Sequence, residues 1–101
     1  MHNKHRSKIM KVCCEPALLT KDGATPPNFY VKMDGNISAR VETSNCILCR
    51  TVGKPLTSEE LRTLETTLTE QPVIVFGTLF TNNYRDFHIS EGFIAGVRLP
   101  A

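Results

Sequence analysis

Between Phe29 and Thr43 the side chains alternate apolar and polar almost without a break. Phe29, Val31 and Met33 alternate with Tyr30 and Lys32. Asp34-Gly35-Asn36 follows, and then Ile37, Ala39, Val41 and Thr43 alternate with Ser38, Arg40 and Glu42. A period of two puts the apolar set on one face of a strand, and Asp-Gly-Asn is turn chemistry. The segment predicts an antiparallel hairpin with one apolar face. A lone hairpin is marginal in water, so the rest of the chain has to cover that face.

The remaining elements follow from the same patterning. Ile9 to Cys14 reads as a first strand, which Glu15-Pro16 ends or places at an edge. Lys21 to Pro27 carries Gly23 and two prolines and reads as a loop. Cys46-Ile47-Leu48-Cys49 continues the hairpin's second strand after a bend or bulge, and Gly53-Lys54-Pro55 closes it. Val73-Ile74-Val75-Phe76 predicts a buried strand that turns at Gly77 and runs on through Thr78-Leu79-Phe80. Thr81 to Tyr84 is a loop. Phe87, Ile89, Phe93, Ala95, Val97 and Leu99 share one parity, interrupted at Glu91-Gly92. Parity assigns Phe29, Phe76, Phe87 and Phe93 to the core and leaves His88 as a solvated strand residue.

One helix is expected, over about Ser58 to Glu70. Thr57 and Glu60 have the spacing of a capping box, and Leu56 and Leu61 that of a hydrophobic staple. Leu61, Leu64 and Leu68 form a single apolar stripe, and Pro72 stops the helix. Glu59 and Glu60 sit where a helix N-terminus favours negative charge. With 101 residues, 41% of them hydrophobic, the chain fits one domain. No apolar run approaches the roughly 18 residues of a membrane span. No signal peptide is visible, and the expectation is a cytoplasmic protein with no membrane partner. The first three strands have no helix between them. The fold class is therefore mainly β: a small five-stranded antiparallel barrel or strongly bent sheet, with one helix between strands 3 and 4.

Three strands, a helix and two strands is the element order of the OB-fold, a five-stranded, partly open Greek-key barrel. The chain resembles small single-domain OB-fold proteins over roughly Ile9 to Leu99, which implies a single OB-like domain over residues 9–101. The likeness is carried mainly by the capped helix, the run Pro72-Val73-Ile74-Val75-Phe76-Gly77-Thr78-Leu79 and the closing strand to Val97-Arg98-Leu99. The resemblance implies a binding surface on the outer face of strands two and three, flanked by the loops joining strands one to two and four to five. On this chain the face carries Tyr30, Lys32, Ser38 and Arg40, and the loops carry Lys21, Asn82, Asn83, Tyr84 and Arg85.

That composition suits single-stranded DNA or RNA, with Tyr30 and Tyr84 as stacking platforms and Lys21, Lys32, Arg40 and Arg85 on phosphates. The bland alternative is that Tyr30, Lys32 and Arg40 are ordinary solvated strand residues. Charge divides the chain unevenly. The formal net charge is +2, yet Lys4, Arg6, Lys8 and Lys11 precede the first acid, Glu15. Residues 1–8 read as a basic flexible arm that could add phosphate contacts.

Cys46-x2-Cys49 has metal-ligand spacing, and Cys13-Cys14 could complete a four-thiolate zinc site. Adjacent cysteines in a regular strand point to opposite faces, however, and free cysteine is often simply buried. No nucleophile-base set can be assembled, so no enzyme and no cofactor are expected. The leading expectation is a non-catalytic nucleic-acid-binding module. A protein-interaction or assembly subunit using an exposed strand edge, as in a homodimer, stays open, as does a small zinc-stabilised domain.

Overall fold

The structure, a computed structural model, describes residues 8–100, so the expected basic arm lies outside the described residues except at Lys8. The strands are β1 (Lys8–Lys21), β2 (Phe29–Met33), β3 (Ile37–Val41), β4 (Cys46–Thr51), β5 (Lys54–Pro55), β6 (Glu70–Thr81) and β7 (Phe87–Ala95), with the helix α1 (Ser58–Thr67) between β5 and β6. A short 3-10 turn at Asp34–Asn36 joins β2 to β3, as the hairpin pattern predicts.

Five strands close into a barrel. The pairs β1–β2, β2–β3, β1–β6 and β6–β7 are antiparallel, and β3–β7 is parallel. The expected small barrel with one helix is present, mixed rather than wholly antiparallel because its closing seam is parallel. β4 follows the third barrel strand after a turn at residues 42–45 and pairs in parallel with the second half of β7. β5 adds a two-residue hairpin to β4.

Closure requires the strands to be staggered. Ladder partners run once round the barrel through Leu19, Val31, Ala39, Phe87, Thr81 and Lys8, returning to β1 eleven positions from the start. So large a stagger demands long, coiled strands. β1 is 14 residues and β6 is 12, and bulges in β1 and β7 bend the ladders that flank β6. In β1, Cys13 and Cys14 together oppose Phe76, and Cys14 has a φ of 55°. In β7 the ladder with β6 shifts between Phe76 and Thr78, where Glu91 has a φ of 54°.

Glycine is obligatory at the second bulge. A Cβ on Gly92 would overlap the Phe76 carbonyl oxygen and stand 2.5 Å from the Gly77 Cα. One on Gly77 would stand 2.6 Å from the Ser90 carbonyl oxygen. The two backbones touch where the ladder turns.

The long first strand differs from the expectation that Glu15-Pro16 ends it. β1 passes straight through Pro16, because β2 pairs only with Leu18–Lys21 and Pro16 therefore has no strand on its other side. A proline's missing N–H is tolerated at such an edge. Pro72 in β6 is placed likewise, beyond the last β6–β7 pair at Ile74–Ala95.

The barrel is filled by Leu19, Val31, Ala39, Val75, Ile89 and Ile94, all essentially inaccessible. Leu64 of the helix and Leu68 just past its end lie in the core, with Leu56 and Leu61 packed against it. The capping box is formed as read from sequence. Glu60 N–H donates to Thr57 Oγ1 at 3.1 Å, and Thr57 N–H donates to Glu60 Oε1 at 2.9 Å. That backbone hydrogen bond, then Arg50, holds the Glu60 carboxyl below its usual range. The helix ends at Thr67 rather than Glu70, since Glu70 is already paired with Thr20 in the barrel ladder.

Two core assignments are overturned. Phe76 and Phe93 are half-buried and stacked on each other at 4.5 Å on the outside of the barrel. Phe76 has the opposite parity to the buried Val73, Val75 and Leu79, and the β7 bulge turns Phe93 outward by shifting the inward parity from Ile89 to Ile94. Phe29 is buried, and Phe87 packs against the core. The backbone contact at the β6–β7 bulge predicts that Gly92→Ala destabilises the fold by about 2–3 kcal/mol, lowering Tm by roughly 10 °C or more in a thermal melt. An unchanged Tm would contradict this geometry.

Candidate nucleic-acid interface

The outer surface of β2 and β3 brings three of the expected residues together. Tyr30 lies directly opposite Arg40, and Lys32 opposite Ser38. The register then carries the first of these rows further round the barrel. Arg40 is beside His88 across the parallel seam, and His88 faces Phe80 across the β6–β7 ladder. Tyr30, Arg40, His88 and Phe80 thus form one cross-strand row spanning β2, β3, β7 and β6.

Each member of the row is held. Phe80 and His88 stack with centroids 5.1 Å apart and planes 17° apart. His88 Nδ1 lies 2.6 Å from Glu42 Oε2. Arg40 donates from Nη2 to Asn28 Oδ1 at 2.9 Å. Asn28 in turn donates from Nδ2 to Asp22 Oδ2 at 2.8 Å. Asp22 Oδ1 accepts the Asn28 N–H at 2.8 Å and the Ala24 N–H at 3.1 Å, and its Oδ2 accepts from the Tyr30 hydroxyl at 3.5 Å. The Asn28 hydrogen bonds are the main reason the Asp22 carboxyl sits below its ordinary value. The loop between β1 and β2 is thereby folded around one ionised carboxylate, which fixes Arg40 and Tyr30 side by side.

The other expected residues are less free than the sequence suggests. Lys32 Nζ is 2.9 Å from Glu70 Oε2. Lys21 Nζ donates to the Glu65 carbonyl near the end of α1, so it closes the helix rather than facing outward. Tyr84 and Arg85 are exposed in the β6–β7 loop, Tyr84 with a φ of 60°. That loop is organised by Thr81 Oγ1, which accepts the Tyr84 N–H at 2.9 Å, and by Asn83 Oδ1, which accepts the N–H groups of Arg85 and Asp86 at 2.9 Å each. The two loops lie at opposite ends of the β2–β3 face. Residue 28 precedes Tyr30 at one end, and Asp86 precedes the Phe87–Ala39 pair at the other.

Two hollows flank the row. A groove of about 680 Å³ is lined in part by Pro16, Leu18, Lys32, Met33, Ser38 and Pro72. A smaller hollow of about 250 Å³ beside Phe80 is lined by Ile9, Thr78, Asn82, Ser90 and Glu91. An apolar hollow edged with hydrogen-bonding groups is a common form for a ligand site.

His88 is therefore not the freely solvated residue its parity suggests, since Phe80 covers one face of its ring and Glu42 engages Nδ1. Counting outward from the 82–86 loop pairs Phe80 with His88. Nothing in the sequence brings Arg40 alongside, because that neighbour comes from the barrel's closing seam.

The four cysteines are not gathered into the zinc set that the sequence left open as an alternative. Cys13 and Cys14 are exposed on β1, whereas Cys46 and Cys49 are buried on β4. Among the described residues no group of three or more His, Cys, Asp and Glu side chains could hold a metal ion. Burial, then the charge of Cys49, pushes the Cys46 thiol up to about 11. Burial also raises Cys49, opposed by a backbone hydrogen bond from Gly53. No helix among the described residues is long and apolar enough to cross a membrane.

The fold defines a class: a small closed mixed β-barrel with one helix and extra strands, consistent with an OB-like fold. No protein-family model matches the chain, and no curated protein and no solved structure matches it. Only the thiolate reacts with disulfide reagents. Exposed Cys13 and Cys14 should accordingly react with an aromatic disulfide reagent in the folded chain. Cys46 and Cys49 should react only on unfolding. Four reactive thiols in the folded chain would contradict the burial on β4.

Proposed function

We propose that the chain is a non-catalytic nucleic-acid-binding module of the OB-fold type, taking single-stranded DNA or RNA across the row Tyr30, Arg40, His88 and Phe80. The observation that carries this reading is the row itself. Aromatic rings at its two ends and a guanidinium between them offer stacking surfaces and a phosphate contact at neighbouring cross-strand positions. The barrel's strand order, with loops at both ends of the β2–β3 face, supports the OB-type placement of the site. Arg85 and the basic residues at the start of the chain supply further phosphate contacts. Four free thiols suit a reducing compartment, in keeping with a cytoplasmic protein.

The electrostatic part of the grip is modest. Lys32 is paired with Glu70, Lys21 is spent on the helix end, and Asp22 and Glu42 border the row. With about four phosphate contacts, affinity for a labelled single strand should fall roughly 50-fold between about 50 and 200 mM salt, read by fluorescence anisotropy. Tyr30→Ala and Phe80→Ala should each weaken binding by about 10-fold, the cost of one lost stacking platform. Absence of binding at low salt, or full affinity in both variants, would overturn the reading.

A second reading rests on a different observation. Among the described strands, β1 has no neighbour on one side before Leu18, and Ile9 and Met10 on that stretch are 67% and 41% exposed. An unpaired edge accepts an added strand, so the chain would act as an assembly subunit by pairing β1 with β1 of a second copy. Light scattering should then give a dimer mass that falls to a monomer in Ile9→Lys/Met10→Lys. A monomer in the unaltered chain would exclude it.

A further inference from the structure

The β1 bulge changes what its two cysteines can do. In an unbroken strand Cys13 and Cys14 would project to opposite faces. Val12 packs against the core on one side of the bulge, and Ala17 and Leu19 are buried in it on the other. Val12 is even-numbered and the other two are odd, so one extra residue has been inserted between them. The insertion is the Cys13–Cys14 pair facing Phe76, with Cys14 at φ 55°. Cys13 and Cys14 therefore both lie outward, on the same face of the sheet. Both are exposed.

A left-handed φ is costly for a side-chain-bearing residue. The fold keeps Cys14 there, at the point where the barrel must bend. The result is two adjacent thiols on one surface of a sheet. Two thiolates side by side repel, and a cation shared between them removes that cost.

We propose that Cys13 and Cys14 form a bidentate site for a soft, thiophilic cation of the monovalent copper type. Two sulfurs are too few for tetrahedral zinc, which needs four ligands, but thiolate is the ligand that selects monovalent copper. The step balances simply. One Cu(I) ion replaces the two thiol protons, two S–Cu bonds form, and two protons leave to solvent with no change of oxidation state. Cys46 and Cys49 take no part, being buried on β4. The site is independent of the nucleic-acid reading, since it uses none of the residues in the Tyr30–Phe80 row.

The test uses the full chain, reduced and kept free of oxygen, in competition with a chromogenic Cu(I) chelator. The unaltered chain should withhold one equivalent of Cu(I), more strongly as pH rises because loading releases protons. Cys13→Ser and Cys14→Ser should each lose at least about 100-fold in affinity, because a single remaining thiol forfeits the chelate advantage. Both positions are exposed, and circular dichroism should show both variants folded. Failure of the unaltered chain to compete would overturn the proposal. So would retention of its affinity by either variant, which would place the copper elsewhere on the chain.

Discussion

The stagger of the barrel governs most of what is distinctive here. Five strands enclose a narrow interior only if they are steeply inclined, and this barrel returns to β1 eleven positions from where the circuit began. Strands that long cannot stay flat. β1 coils at Cys13–Cys14, and the β6–β7 ladder coils where Gly77 and Gly92 touch. Each bulge also inverts the inward parity beyond it. The same constraint that closes the barrel therefore puts two thiols on the outside and turns Phe93 outward to stack on Phe76.

The parallel β3–β7 seam has a second consequence. It joins the hairpin read most clearly from the sequence to the last strand of the barrel, and so sets Arg40 beside His88. Without that seam the outer surface would hold two unrelated pairs, Tyr30 with Arg40 and Phe80 with His88. With it, they form one row. The loop carboxylate Asp22 then acts at a distance through Asn28, fixing the guanidinium next to the Tyr30 ring.

Charge on this surface is largely spent within the protein. Lys32 meets Glu70, Lys21 meets the helix end, and His88 meets Glu42. These solvent-accessible pairs contribute little to stability, but they lower the potential that a polyanion would meet. Binding by such a face leans on ring stacking, with Arg40 as the cation nearest the rings.

The element types were legible from local chemistry. The 29–43 alternation gave the β2–β3 hairpin, the Thr57–Glu60 spacing gave the helix start, and Gly77 and Glu91-Gly92 marked the bends. These signals are encoded within a few residues, so they survive without knowledge of the fold. The extent of β1 was not legible, because whether Pro16 ends a strand depends on whether a neighbour needs its N–H. Nor were the outward placement of Phe93 or the shared face of Cys13 and Cys14, since parity can be read only up to the next bulge; Phe76 was hidden in a continuous apolar run, which has no period to mark its inward face. The sequence by itself determined a small, mainly β domain with one capped helix. Only the tertiary structure decided which side chains share a surface, because register across the closing seam is a property of the whole barrel and of no single strand.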